Sequence, residues 1–343
     1  MDRQELHRFA ALDGHPLTLL HIRAAAEPTR GPVLLVHGAG VRAEIFRPPT
    51  PRHFVQALLD RGHDVWLSNW RASIDLNPGA WTLDQAAAYD HPASVAEVLR
   101  LTGAERLKAV IHCQGSTSFM MSATAGLLPQ VETIVANAVS LHPQVNRIAR
   151  LKSRWAVPLV RRMTPVLDPR WGEQAPAGVP SVLKALVRLT HHECNNAVCR
   201  FSSFTYGWGF PVLWRHENLD DATHDWIRGE FGPVPLSFFS QMRDCIEAGH
   251  LVAARQHPTP AGLPTDYTTS APKNTARIAF IAGRMNRCFD WHGQQLSHAW
   301  FSHHQPDRGH SLRVIENYGH LDIFLGQQAD RDVFPILIEE LER

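Results

Sequence analysis

The sequence predicts an α/β fold: a mostly parallel sheet with helices on both faces and an inserted, mainly helical cap. Three observations predict it. Short apolar runs alternate with helix-compatible stretches through the first 141 residues. The alternation gives way near Leu141 to a stretch rich in Pro, Gly and aromatics, and it resumes at Arg277. Strands that alternate with helices imply parallel pairing with helical crossovers. Residues 1–141 and 272–343 are therefore expected to form one core, with 142–271 as the cap.

The elements follow in order. An apolar run over 17–22 reads as an early strand, and Pro28-Thr29-Arg30-Gly31-Pro32 reads as a turn. Residues 33–36 are continuously apolar between Pro and Gly, which suits a strand buried on both faces. A helix is expected over 54–59, stopped by Arg61-Gly62-His63, then a strand over 64–67. Pro92 in a first turn and apolar Val95, Val98 and Leu99 predict a helix over 92–101. Strands are expected over 107–112 and 131–139, and helical pieces over 182–189 and 238–248 in the cap. The core resumes with strands over 277–283 and 311–316 and closes with a helix over 333–341.

Composition removes several function classes. With 34 basic and 33 acidic residues among 343 and no long charge runs, nothing suggests a nucleic-acid surface. No apolar run reaches the roughly 18 residues that a membrane-spanning helix needs, so no integral membrane segment is expected. The charged start MDRQELHRFAALDGH has no signal-peptide character, and five cysteines do not make a disulfide framework. A reduced, cytoplasmic protein is the expectation. His191-His192-Glu193-Cys194-Asn195-Asn196-Ala197-Val198-Cys199 concentrates ligand-type side chains but has neither CxxC nor HExxH spacing, so no metal and no cofactor are expected.

The most informative segment is Lys108-Ala109-Val110-Ile111-His112-Cys113-Gln114-Gly115-Ser116. An apolar strand runs into a single apex residue, a glycine and a helix-compatible stretch, the layout of a strand-to-helix nucleophile elbow. The apex is Cys113, and Ile111 stands where such elbows usually carry their first glycine. Acyl transfer also needs a base, a group that orients it and donors for the oxyanion. His320, past the last strand, is the candidate base, and Asn286 or Asp290 in the loop after 277–283 is the candidate orienting residue. Asn286 would act through its side-chain carbonyl, as in Cys-His-Asn proteases. Backbone N–H groups of Ala39 and Gln114 are the expected oxyanion donors. His37 and Gly38 in the His37-Gly38-Ala39-Gly40 turn, Tyr206 in the aromatic stretch 204–214, and His224 are candidate substrate contacts.

Trp66-Leu67-Ser68-Asn69-Trp70-Arg71, Tyr89-Asp90-His91-Pro92-Ala93, His112-Cys113-Gln114-Gly115-Ser116-Thr117 and Tyr318-Gly319-His320-Leu321-Asp322 resemble the acid-lipase group of α/β-hydrolases. The phrases Cys199-Arg200-Phe201, Tyr206-Gly207, Asn218-Leu219, Thr223-His224, Phe231-Gly232 and Asn286-Arg287-Cys288-Phe289 resemble hydrolase domains associated with cholesterol-oxidase-like flavoproteins. The resemblance implies a hydrolase for esters of bulky lipophilic molecules and a functional link to a flavoprotein oxidoreductase. Cys113 and Asn286 depart from the lipase serine and aspartate. Polyhydroxyalkanoate synthases also pair a cysteine elbow with this fold.

The expected function is hydrolysis of a small lipophilic ester or thioester through a Cys113 acyl-thioester. Acyl transfer by the same Cys–His site is one alternative, and a catalytically degenerate ligand- or protein-binding module is another.

Overall fold

The computed structural model describes residues 3–192, 194–255 and 257–343. Among the described residues there are ten strands: β1 (Arg3–Ala10), β2 (Pro16–Arg23), β3 (Pro32–Val36), β4 (Asp64–Asn69), β5 (Leu107–His112), β6 (Val131–Asn137), β7 (Val166–Leu167), β8 (Val234–Pro235), β9 (Arg277–Gly283) and β10 (Ser311–Ile315). Eight form one sheet in the order β1-β2-β4-β3-β5-β6-β9-β10, and β7 pairs with β8 apart from it. β1–β2 and β2–β4 are antiparallel and every other pair in the large sheet is parallel. The chain folds as the α/β class that the alternation predicts.

β3 and β5 are buried nearly throughout, as crossover helices on both faces require. Helix Phe54–Asp60 packs on β4 and helix Phe334–Glu342 on β5 and β6, and the two helices touch. Helices His91–Thr102 and Cys113–Thr124 pack on β3, β5 and β6 and also touch each other. The chain leaves β3 to build β4 on one side and returns to build β5 on the other. Loops after β3 and β5 therefore diverge at a topological switch point, where the carboxyl ends of parallel strands leave a crevice.

β1 is not among the expected elements. It is a mostly exposed edge strand, Arg-Gln-Glu-Leu-His-Arg-Phe-Ala, tied to β2 in register from Arg3↔Arg23 to Ala10↔Pro16. Charged side chains of this kind protect an exposed edge and hide the strand from a hydrophobic reading. The strand expected over 131–139 stops at Asn137, because Ala138 turns into the left-handed region with φ 84°.

Between β6 and β9 the chain is mainly helical. Helices Arg147–Arg161, Val179–Thr190, Ala197–Tyr206 and Leu236–Ala248 surround an apolar cluster of their own, including Leu167, Trp171, Leu183 and Phe201. Helix Arg147–Arg161 escapes sequence detection because it contains Pro158 and leaves Leu151, Trp155 and Leu159 exposed. Among the described residues no helix is long and apolar enough to cross a membrane.

Candidate active site

The crevice beyond β3, β5, β9 and β10 collects most of the candidate residues, with His224 elsewhere. β5 ends at His112 in extended geometry, Cys113 turns to φ 56°, and helix Cys113–Thr124 starts at once. A non-glycine residue held there carries about 1–2 kcal/mol of strain and persists only because its surroundings over-determine it. The close packing is visible at two glycines. A Cβ on Gly115 would lie 2.2 Å from the His37 carbonyl oxygen, and one on Gly38 would lie 2.8 Å from Cys113 Cβ. Ile111, in the place of the usual first glycine, is accommodated as a buried core residue of β5.

The turn after β3 presses against this apex. Backbone N–H groups of Gln114 and Ala39 both reach the Cys113 thiol, which burial pushes up to about 12. Two such donors beside a nucleophile suit a developing oxyanion. Tyr206 Oη donates to the Ala39 carbonyl at 3.1 Å and Trp70 Nε1 to the His37 carbonyl at 2.9 Å, so both flanks of the turn are held. The His37 ring folds back on its own loop, with Nδ1 2.6 Å from the Gly38 oxygen, and burial lowers it to about 4. His37 thus shapes the turn, and Gly38 makes room for Cys113.

His320 lies in the loop after β10, which turns through Asn317 at φ 63°. The ligand-type atoms of His112, Cys113 and His320 lie within 4.8 Å of one another. The loop is braced by Asp322, whose carboxylate accepts the Gly319 N–H at 2.9 Å and Asn218 Nδ2 at 2.6 Å. Burial lowers His320 to about 3, so its ring is neutral near pH 7.

Asn286 does reach His320, but with its amide reversed from the expected arrangement. Its Oδ1 accepts the backbone N–H groups of Cys288 at 2.9 Å and Phe289 at 3.1 Å. Its Nδ2 lies 3.0 Å from His320 Nδ1. Turning the amide over would set the NH2 group against two N–H donors, so the orientation is determined by the loop backbone. Nδ2 therefore donates, Nδ1 accepts, and the ring proton of neutral His320 sits on Nε2. In a Cys-His-Asn site the amide oxygen would instead accept an Nδ1–H and leave Nε2 free to take a proton. Asp290 does not stand in for it: its carboxylate lies 2.5 Å from His292 Nδ1, and its N–H donates to the Gln144 oxygen at 2.8 Å.

Cys113 and Gln114 open onto an apolar cavity of about 120 Å³ walled by Val160, Leu167, Tyr206, Phe238, Phe239 and Met242 among others. Most of the wall is not marked in the sequence, Lys152 and Met242 among it. Lys152 hydrogen-bonds the carbonyls of Phe204 and, at 2.8 Å, Gly207, completing the end of helix Ala197–Tyr206, and burial draws it down to about 8. Met242 lies on helix Leu236–Ala248. No local signal marks either residue, since helix Arg147–Arg161 is itself hidden in the sequence and Met242 is one apolar position among several on its helix. Cys288 also lines the cavity, with Sγ bonded to the Tyr206 carbonyl at 3.3 Å. His224 is not a wall residue; it meets Cys194, Cys199 and His216 elsewhere in the inserted segment. The Arg71 and Asp90 side chains of the lipase-like phrases form a buried ion pair at 2.5 Å, shared with Asp13, and thus support the core.

Comparison with known proteins gives a consistent picture. Residues 31–327 match the family described as alpha/beta hydrolase fold. The chain is 31% identical to Lipase 1 of Drosophila melanogaster over 153 residues, 41% of this chain and 34% of that protein. It is 27% identical to Sterol esterase 2 of Saccharomyces cerevisiae over 157 residues, 38% of this chain and 29% of that protein. A longer match, 24% identical, joins 90% of this chain to 79% of mouse Lipase member K. The chain thus spans about a third of the length of the first two relatives. In three dimensions it resembles the Pyrococcus furiosus esterase Pf2001, with a TM-score of 0.54 and 14% identity over 100% of this chain and 93% of that one. It also resembles a lipase in its open form, with a TM-score of 0.60 and 14% identity over 99% of each chain.

Proposed function

We propose that this chain, which belongs to the α/β-hydrolase fold family, is an acyl hydrolase that cleaves lipophilic esters or thioesters through an acyl-thioester on Cys113. The observation that carries this reading is the convergence at Cys113: a left-handed apex residue between two backbone N–H donors, opening onto an apolar cavity. The sequence likeness to lipases and a sterol esterase agrees with it. The exposed apolar side of helix Arg147–Arg161, whose neighbouring face lines the cavity, suits lipid-like substrates as well.

In the proposed reaction Cys113 Sγ bonds to the substrate carbonyl carbon while the thiol proton passes to His320 Nε2. Ala39 and Gln114 N–H groups receive the oxyanion. Collapse breaks the bond to the leaving group, which takes the proton from His320, and the acyl group remains on sulfur. Water then attacks the thioester, again giving a proton to His320, and the acid departs as the thiol regains its proton. Each proton transfer to Nε2 requires the tautomer with its proton on Nδ1, which faces the Asn286 amide donors. The thiol tolerates this weakened base better than a serine would, because a thiol is intrinsically far more acidic than an alcohol, even with burial raising Cys113 here. An alcohol or amine in place of water would make the same site an acyltransferase. A link to a flavoprotein oxidoreductase and a cytoplasmic location complete the proposal.

Intact-protein mass spectrometry with an activated ester tests it. Wild-type protein should gain one acyl group that maps to Cys113, and Cys113→Ala should gain none; the same adduct in that variant overturns the assignment. The Nε2–H tautomer favours a second reading, a non-catalytic binder of a lipophilic ligand. Saturable binding of a fluorescent fatty acyl probe, with neither adduct nor turnover across an ester panel, would select it.

A further inference from the structure

A second cluster of reactive side chains lies away from Cys113. Cys194, Cys199, His216 and His224 bring two thiols and two imidazoles together, with every pair of ligand atoms within 4.8 Å. Cys194 Sγ is 3.5 Å from His224 Nε2, and Cys199 Sγ is 3.4 Å from His216 Nε2. A tetrahedral zinc ion with its usual Zn–S and Zn–N bonds separates sulfur from nitrogen by about 3.6 Å. Those spacings match. We propose that these four residues bind one zinc ion as a closed, structural Cys2His2 site.

The surroundings fit the assignment. The Asn196 N–H donates to Cys194 Sγ at 3.2 Å, as backbone donors do to coordinating thiolates, and Asn196 Nδ2 donates to the His224 carbonyl at 2.6 Å. Asn196 also caps helix Ala197–Tyr206, whose first turn carries Cys199. The ligands come from separate places: the loop before that helix, the helix itself, the 3-10 turn His216–Asn218 and the helix Asp221–Trp226. No sheet joins these short pieces, so a metal cross-link supplies what a small helical insertion lacks. Binding releases the two thiol protons and gives a neutral centre, and four protein ligands leave no open position for catalysis. The segment it would hold includes Asn218, which donates to the Asn317 oxygen at 2.8 Å and to Asp322 and so braces the His320 loop. Sequence spacing conceals the site because His216 and His224 stand farther apart than the usual H-x3–5-H interval. Glu193, part of the same donor-rich phrase, lies outside the described residues.

Metal analysis of the full chain, purified under reducing conditions and exchanged into zinc-containing then metal-free buffer, tests the proposal. One zinc per chain is expected, retained by Cys113→Ala. Loss of a mere outer-sphere partner weakens zinc sites about 10–100-fold, so Cys194→Ser and His216→Ala should lose still more affinity. If those variants fail to fold, cobalt titration of the wild-type chain decides. One equivalent giving the intense visible bands of tetrahedral, thiolate-bound cobalt supports the site, and a pale octahedral spectrum overturns it. A wild-type chain that takes up no zinc, a Cys194–Cys199 disulfide, or undiminished zinc in the folded double variant Cys194→Ser/Cys199→Ser also overturns it.

Discussion

Replacing Asn286 by Asp should accelerate acylation of Cys113, because the site is built to receive a carboxylate. One carboxylate oxygen would keep the bonds from the Cys288 and Phe289 N–H groups that Oδ1 now accepts. The other would replace Nδ2, 3.0 Å from His320 Nδ1, and accept a proton-bearing Nδ1. In the wild type, moving the ring proton to Nδ1 sets N–H against N–H and strands a buried donor, which costs about 1–3 kcal/mol. The imidazolium formed during reaction also lacks a charged acceptor, which forfeits about 1.5–3 kcal/mol more. The sum corresponds to an acylation rate raised by about 10² to 10⁴ in Asn286→Asp. The carboxylate should also lift His320 from its depressed value of about 3, so the acid limb of the pH profile should move upward. Stopped-flow acylation with an activated ester, followed from acidic to neutral pH, measures both. A folded Asn286→Asp protein that acylates no faster than wild type would refute the argument that the tautomer limits this site.

Two further outcomes follow from the same geometry. Gly115→Ala should destabilise the protein by about 1–3 kcal/mol and slow thiol alkylation of Cys113, because its Cβ meets the His37 oxygen at 2.2 Å; denaturant unfolding and alkylation kinetics check this. Burial lowers His37 to about 4 and His91 and His320 to about 3. The unfolded chain takes up those protons first as pH falls below the ordinary histidine value near 6.5, so stability is full above that value and declines between roughly pH 6.5 and 3. Thermal unfolding across that interval should show a falling midpoint; a flat midpoint would contradict buried, neutral histidines.

Elements with strong local signals are those whose side chains are buried on both faces or arranged on one helix face. β3, β5 and β9 and helix His91–Thr102 appear within a residue or so of the expected positions because burial demands continuous or periodic apolarity. β1 and helix Arg147–Arg161 do not, since the first is a charged edge and the second leaves much of its apolar surface exposed.

The amino-acid sequence by itself determined the fold class, the Cys113 apex between strand and helix, and the order in which Asn286 and His320 follow it, because each is a local pattern. Tertiary structure alone decided which atoms face one another. The backbone of Cys288 and Phe289 claims the Asn286 oxygen and turns its nitrogen toward His320. Asp290 is held by His292, away from the base. Folding carries His224 away from the apolar cavity and into the company of Cys194, Cys199 and His216. Hydrogen-bond direction and long-range convergence depend on distances that only the packed chain creates, and no spacing along the sequence encodes them.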